Sequence, residues 1–382
     1  MKESCAVVYL SSAITAPNRC NPQLRSILLD LSSMYDVHLV GRTRPGHEGA
    51  CRGCRACGAD VTLIPIGAPQ MHWLPAHTIR FASAATKLPF VLDKLGPECI
   101  YAINLDGLAA IGRRWLGRVP VVYHALEIYY GSGQGALLGG YMRGVERRLA
   151  SYVDIWVVPS RLRAQYYVRL YPFIRPIVWL NAPSISELNM LIDTNEYDRQ
   201  WRSPNDYVYT GALGVSQDLR PFLYAMKGMR DAGTDVSLSI YTNSRAHFDS
   251  VLCSLVEALD LACCVSTKEY VTGRVKLIRE LRQYGRSLVL YGGSGVNQRL
   301  CAPTKLVDSM IARTPWLGTD LPGTRSWLEE FGGGAVCDTN SRQAVEAQLL
   351  SNSRVPYSCS TETLIRYQNA TLSALQENLQ IG

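Results

Sequence analysis

Short apolar runs, each stopping at small or polar residues and each followed by a segment of helical periodicity, recur along the whole chain and constrain its fold most. In the first half these runs are 6–10, 37–40, 61–66, 99–103, 119–123, 154–158 and 177–180. Helical patterns lie around 24–31, over 77–96 and over 141–151. Near-continuous apolar strands alternating with helices argue for a parallel sheet covered on both faces. A second series begins at Tyr207-Val208-Tyr209-Thr210 and continues with runs at 236–241, 263–265, 287–291 and 335–338, with helices predicted over 218–231, 246–259, 275–284, 342–350 and 361–379. Between the two series, residues 184–205 are polar. At 382 residues the chain exceeds the size at which one core keeps growing, so two domains are expected. The expected division is 1–183, then 184–358, then a terminal helix over 359–382 that packs back toward the first domain. The class is α/β, two doubly wound halves facing across a cleft, with the cleft as the expected active site.

One stretch of the second series carries chemistry. Ser287-Leu288-Val289-Leu290-Tyr291 reads as a strand, Gly292-Gly293-Ser294-Gly295 as a flexible loop, and the segment from Pro303 as a short helix. Proline suits the first turn, where its missing N–H costs nothing. Leu306, Val307, Met310 and Ile311 share one face at helical spacing, and Lys305 and Asp308, three apart, lie together on another. A helix start favours an anion, Lys305 adds a positive charge, and Asp308 can accept hydrogen bonds from ribose hydroxyls. A nucleoside diphosphate meets all three. An ordinary solvated Lys–Asp pair on an amphipathic helix fits the same spacing.

In the first half, open parallel sheets place ligands at the carboxyl ends of their strands. That rule singles out Asp106, after the 99–103 run, and His124 and Glu127, after the 119–123 run. A hydrogen-bonded core histidine and a rim carboxylate are the plainer readings of the last two. The first loop, Ser11-Ser12-Ala13, lacks a GxGxxG fingerprint, which argues against a nicotinamide enzyme. Five glycines among apolar residues at 131–140 are too flexible for a strand and suit a segment that closes over a substrate or touches a greasy acceptor. The basic helix that follows holds Arg143, Arg147 and Arg148.

The net charge of +7 is spread along the chain, without the dense basic cluster and interleaved aromatics of a nucleic-acid binder, so no nucleic-acid partner is expected. An electropositive cleft for a phosphorylated substrate, or basic surface facing anionic lipid, explains the balance. No apolar run reaches membrane-spanning length, and the start Met1-Lys2-Glu3-Ser4-Cys5 does not read as a signal peptide. Twelve cysteines, several inside apolar runs, fit a reducing compartment. Cys51, Cys54 and Cys57 form CxxCxxC, one ligand short of a structural zinc site, and no metal is expected. The expected location is cytoplasmic, with peripheral contact at the inner face of a membrane left open.

The segment Pro303-Thr304-Lys305-Leu306-Val307-Asp308-Ser309-Met310-Ile311-Ala312, followed by Pro315-Trp316-Leu317-Gly318-Thr319-Asp320-Leu321-Pro322-Gly323, resembles the P-x-K-L-x-E-x-x-A and P-V-I-x-S-D-L-P-G pattern of GT4-like retaining glycosyltransferases of the GT-B fold. Glu146-Arg147-Arg148 before Asp154-Ile155-Trp156-Val157-Val158-Pro159-Ser160 is similar to a second family pattern. Tyr209-Thr210-Gly211-Ala212-Leu213 is similar to its G-R-L strand end. Asp308 stands where the family has the second glutamate of E-x7-E, and Cys301 stands at the first. Ala212 replaces the family arginine, and the lysine that follows it is not evident.

The resemblance covers nearly the whole chain and implies two Rossmann-like domains. It implies metal-independent transfer of a sugar from a nucleotide diphosphate, UDP or GDP, to an acceptor hydroxyl with retention of configuration. No cofactor is implied. Gly211, Gly292, Gly293, Ser294, Gly295, Arg299, Thr304, Lys305 and Asp308 would hold the donor, with Arg299, Lys305, Arg274 or the 292–295 backbone standing in for the missing basic pair. His124, Asp106 and Glu127 would act at the sugar and acceptor hydroxyls. A nucleotide-sugar 2-epimerase of the same fold and a non-catalytic binding or scaffold protein are the alternatives.

Overall fold

The computed structural model describes residues 2–14, 21–43, 61–67, 76–129, 136–192, 203–214, 217–242, 248–292, 295–351 and 356–380. The chain divides into two compact units, Met1–Ser186 with Arg366–Gly382, and Glu187–Ile365.

The first unit is built on seven parallel strands: β1 (Ser4–Ile14), β2 (Asp36–Thr43), β3 (Val61–Gly67), β4 (Cys99–Ile103), β5 (Val121–His124), β6 (Ile155–Val158) and β7 (Ile177–Val178), in the order β3-β2-β1-β4-β5-β6-β7. The order reverses between β1 and β4, the switch point at which a doubly wound sheet opens a crevice at its carboxyl edge. Residues of β4, β5 and β6 are buried throughout, as strands covered on both faces require. One face is covered by the helix Pro22–Met34 and by Leu372 and Leu375 of the last helix, which join Leu28, Leu31, Val37, Leu39 and Val157 in one core. Thr371 Oγ1 donates to the Val178 carbonyl at 3.2 Å.

The second unit repeats the plan with β8 (Asp206–Thr210), β9 (Ser237–Tyr241), β10 (Val265–Lys268), β11 (Arg286–Val289), β12 (Trp316–Thr319) and β13 (Gly334–Cys337), in the order β10-β9-β8-β11-β12-β13, again all parallel. Its switch point lies between β8 and β11. Phe222, Met226 and Met229 of the helix Arg220–Asp231 pack with Leu238, Ile240 and Leu288 of the sheet.

Among the described residues, three helices of eight or more residues stand where a loop, a connection or a turn was expected. Asn104–Ile111 begins directly at the end of β4, at residues expected to form only a strand-end loop. Ile185–Ile192 opens the segment expected to be a polar connection. Pro322–Phe331 occupies the residues expected to turn after β12. Packing explains the first. Gly107 lies so close to β1 that a Cβ there would meet the Val8 carbonyl oxygen at 2.8 Å. A glycine at this place therefore marks close helix–strand approach. The glycine-rich stretch also differs: 131–135 lies outside the described residues, and Gly139 and Gly140 belong to a helix, Ala136–Leu149.

Gly107→Ala is expected to destabilise the protein by about 1–3 kcal/mol, because helix and strand must separate to admit the methyl group. A denaturant melt, read by the midpoint at unchanged slope, checks this.

Candidate functional site

In the first unit, the carboxyl ends of β1, β4 and β5 hold a connected polar cluster. Asn104 is its hub. It adopts φ +62°, a left-handed conformation that asparagine tolerates better than most residues. Its Nδ2 donates to Ser11 Oγ at 2.9 Å, and its Oδ1 accepts the Glu127 N–H at 2.9 Å. Ser11 Oγ and Tyr129 OH donate to Asp106 Oδ1 at 3.0 and 3.2 Å. Asp106 sits in the first turn of the helix Asn104–Ile111, where the helix dipole favours a carboxylate. Burial nonetheless raises its pKa above the ordinary carboxylate value, against the lowering effect of Ser11, Tyr129 and the backbone N–H groups. The cluster therefore presents two carboxyl side chains, Asp106 held within it and Glu127 exposed at its edge.

His124 ends β5 but is enclosed, 1% exposed. Its Nδ1 lies 2.8 Å from Tyr101 OH, and its ring stacks on Trp179, with centroids 5.8 Å apart and planes 21° from parallel. Its Nε2 is buried and has no hydrogen-bond partner among the described residues. Burial, with a smaller effect of the Arg163 charge, lowers the ring's pKa to about 3, so the imidazole is neutral at physiological pH.

Behind β5, Glu146 is caged by hydroxyl donors. Tyr123 OH donates to Oε1 at 2.7 Å, Tyr167 OH to Oε1 at 3.4 Å and Tyr171 OH to Oε2 at 3.1 Å. Buried Arg163 donates to the Leu126 carbonyl and so holds the segment between His124 and Glu127. Tyr101, Asn104 and Arg163 were not legible as site residues, since nothing in their spacing marks them. The resemblance had pointed to Glu146 without a role.

In the second unit, Asp308 does not pair with Lys305. It accepts from Arg274 Nε at 2.7 Å, and the two side chains are 7% and 2% exposed. Neither a solvated Lys–Asp pair nor an uncommitted ribose acceptor describes it. Its carboxylate has one oxygen bound to Arg274 and lone pairs left on the other. Burial pushes its pKa up, and Arg274 opposes that shift. Arg274, 34 residues away in sequence and expected only as a stand-in cation for the diphosphate, is thus the partner of this acid.

Lys305 turns to the end of β8 instead. Its Nζ stands 4.2 Å from the Tyr209 ring centroid and 5.9 Å from that of Tyr291. Gly211 has φ +112°, and a Cβ there would come within 3.1 Å of Lys305 Cε and 3.3 Å of Nζ. Tyr209 OH donates to the Ala212 carbonyl, pinning this strand-end loop. Thr304 is the first residue of the helix Thr304–Ala312, with Pro303 at its N-cap. Gly292 follows β11, Gly295 caps the short helix Val296–Arg299, and Arg299 is exposed at its end. Gly293 and Ser294 lie outside the described residues, as do Cys51, Cys54 and Cys57. Cys301, where the resembled pattern has a glutamate, is buried, and its backbone lies against Gly323. Among the described residues no group of three or more His, Cys, Asp or Glu is arranged to hold a metal, and no helix is long and apolar enough to cross a membrane.

Two Rossmann-like units, each with its polar groups at the carboxyl ends of parallel strands, define the GT-B class of fold. Solved structures agree over the full length. Sucrose-phosphate synthase from Thermosynechococcus elongatus superposes with a TM-score of 0.62 at 11% identity, covering 100% of this chain and 98% of that one. Anabaena HepE in complex with UDP gives 0.62 at 11% identity, covering 99% and 98%. UDP-GlcNAc 2-epimerase from Methanocaldococcus jannaschii gives 0.55 at 10% identity, covering 98% and 100%. No family model and no curated protein matches the sequence. At such identities the shared property is the fold.

Two outcomes test the site's electrostatics. Unfolded histidine titrates near its ordinary value of 6.5, far above His124 in the folded chain. The unfolded state therefore binds the extra proton, and stability is lost as pH falls from about 6.5 toward 3, by about 2 kcal/mol at pH 5. His124→Gln is expected to flatten that acid limb in melts between pH 7 and 4. Separately, Asp308→Ala removes the acid bonded to the buried Arg274 Nε and should cost about 3–5 kcal/mol, whereas the Asp308→Leu, Arg274→Met double variant should recover most of it. A double-mutant cycle by urea unfolding measures this.

Proposed function

We propose that the chain is a glycosyltransferase that moves a sugar from a nucleotide diphosphate, UDP or GDP, to an acceptor hydroxyl with retention of configuration. The observation that carries this reading is the pair of side chains on the helix Thr304–Ala312. An amine that meets aromatic rings, and no acid among the described residues, stands at the end of β8, and one turn on stands a carboxylate anchored through a single oxygen. The amine and the helix start suit a diphosphate, and the open carboxylate oxygen suits ribose hydroxyls. The fold supports the reading, and the solved HepE complexes with UDP, and with UDP and glucose, are of proteins with the same architecture.

In this reading the second unit binds the donor and the first serves the sugar and the acceptor. Charge developing on the leaving diphosphate is met by Lys305, Thr304 and the N–H groups of the helix start, so the reading requires no metal. In a front-face displacement the leaving phosphate itself accepts the acceptor's proton. Asp106 and Glu127 orient hydroxyls. Neutral His124 offers Nε2 as a hydrogen-bonding atom, provided the enclosing residues move aside. On the helix Ala136–Leu149, Tyr141, Arg143, Arg147 and Arg148 are exposed, which fits an acceptor presented at an anionic membrane surface. Free thiols such as Cys5 and Cys99, side by side on β1 and β4, fit a cytoplasmic setting.

A second reading, a nucleotide-sugar 2-epimerase, is favoured by one specific arrangement. Asp106 and Glu127 follow adjacent strands and are joined through Asn104. Two carboxyl groups at neighbouring strand ends, one of them raised in pKa by burial, are the residue types needed to remove and return a proton at a sugar carbon.

A panel of UDP-, GDP-, ADP-, CMP- and dTDP-linked sugars, scored by thermal shift and by release of free nucleotide, separates these readings. Transfer predicts one donor that raises Tm, is slowly hydrolysed and loses its effect in Asp308→Asn. Conversion of that donor to an isomer of unchanged mass, with no acceptor present, would establish the epimerase instead. A flat panel would overturn both.

A further inference from the structure

Lys305 lacks what a buried lysine normally has. Its amine faces aromatic rings rather than an acid. Among the described residues, the ionisable groups turned toward it are the phenols of Tyr209, from β8, and Tyr291, just after β11. Its own helix contributes Asp308, which is bound to Arg274 of the neighbouring helix Arg274–Leu281. Burial raises the Tyr209 phenol above its ordinary value, so it carries no charge at physiological pH. Burial lowers Lys305 from the ordinary lysine value to about 7, by desolvation of its charged form. The lysine is nonetheless half-buried rather than sealed, and its amine lies against Gly211: a Cβ there would come within 3.3 Å of Nζ, so the missing side chain makes the room that Lys305 occupies at this strand end.

We propose that Lys305 captures the donor's diphosphate by taking up a proton from solvent as the anion arrives, so that this strand end carries its positive charge only when occupied. The inference rests on the nucleotide-binding reading above and adds the means by which a strand end with no other cation against Lys305 among the described residues binds phosphate. No covalent bond changes. The neutral amine plus one solvent proton becomes an ammonium that donates hydrogen bonds to phosphoryl oxygens, and its charge is offset by theirs. The Tyr209 face stabilises the ammonium once it forms. The free protein thereby avoids a buried unpaired charge, and the complex gains a charge-assisted contact.

Two consequences follow from the linkage. Binding takes up protons wherever free Lys305 is neutral, and affinity falls by up to about tenfold per pH unit above about 7. An arginine at 305 would be charged at every working pH and would take up nothing.

The test is isothermal titration calorimetry of the full chain with UDP and with GDP at pH 8, where the nucleotide's own phosphates are fully ionised. Running it in two buffers of different ionisation enthalpy counts the protons. Wild type is expected to take up close to one proton per nucleotide. Lys305→Met should bind at least tenfold more weakly with no uptake. Lys305→Arg should bind with no uptake and lose most of the pH dependence between 7 and 9. Wild-type binding without proton uptake, or uptake unchanged in both folded variants, overturns the inference while leaving nucleotide binding intact. Absence of binding by either nucleotide at pH 6 as well as pH 8 overturns the nucleotide reading and this inference with it. Lys305→Met, which removes rather than adds a buried charge, keeps the test decisive if the arginine variant does not fold. It should also melt higher than wild type at pH 6.5 and by a smaller margin at pH 9.5, since only the buried ammonium is costly.

Discussion

Everything polar in this molecule is governed by the burial of parallel strands on both faces. A strand covered above and below tolerates little charge along its length, so β4, β5, β6 and β12 are apolar, aromatic or small up to their last residue and buried at every residue. Groups able to do chemistry are displaced to where the strands stop. Parallel strands all stop at the same edge. Asp106, His124 and Glu127 in one unit, and Gly211, Tyr291 and Lys305 in the other, are there because of that geometry and not because of any local signal of their own.

The second unit shows two answers to one electrostatic problem. Asp308 and Arg274 are both charged types in a nearly dry place, and each makes the other tolerable through a 2.7 Å bond. Lys305, three residues from Asp308, is half-buried and, among the described residues, has aromatic faces in place of an acid. Its cheapest state is the uncharged one. The difference between a fixed charge and a conditional one is decided by which neighbour each side chain meets.

In the first unit the same economy runs through neutral donors. Glu146 is held by three tyrosine hydroxyls, and His124 by one tyrosine and a stacked tryptophan. These contacts fix the path of the chain from His124 to Glu127, which Arg163 clamps at the Leu126 carbonyl. Asn104, strained into φ +62°, ties the end of β4 to the backbone of Glu127. A backbone conformation of this kind is held only when its surroundings over-determine it, and here both amide atoms are engaged.

By itself the sequence determined the alternation of strands and helices, the two parallel sheets they imply, and the strand ends at which polar residues would gather. Apolar runs of four to six residues and helical periodicity are local signals, and local signals survive reading one residue at a time. The helices Asn104–Ile111 and Pro322–Phe331 escaped it because Asp106-Gly107 and Pro322-Gly323 read as turns. Only packing shows that each glycine is there for close approach, to the Val8 carbonyl in one case and to the Cys301 backbone in the other. The tertiary structure alone decided that Asp308 belongs to Arg274, that Lys305 belongs to Tyr209 and Gly211, and that His124 is enclosed. The reason is physical: whether a buried side chain keeps its charge depends on what lies within a few ångströms, and those neighbours come from strands and helices tens of residues away.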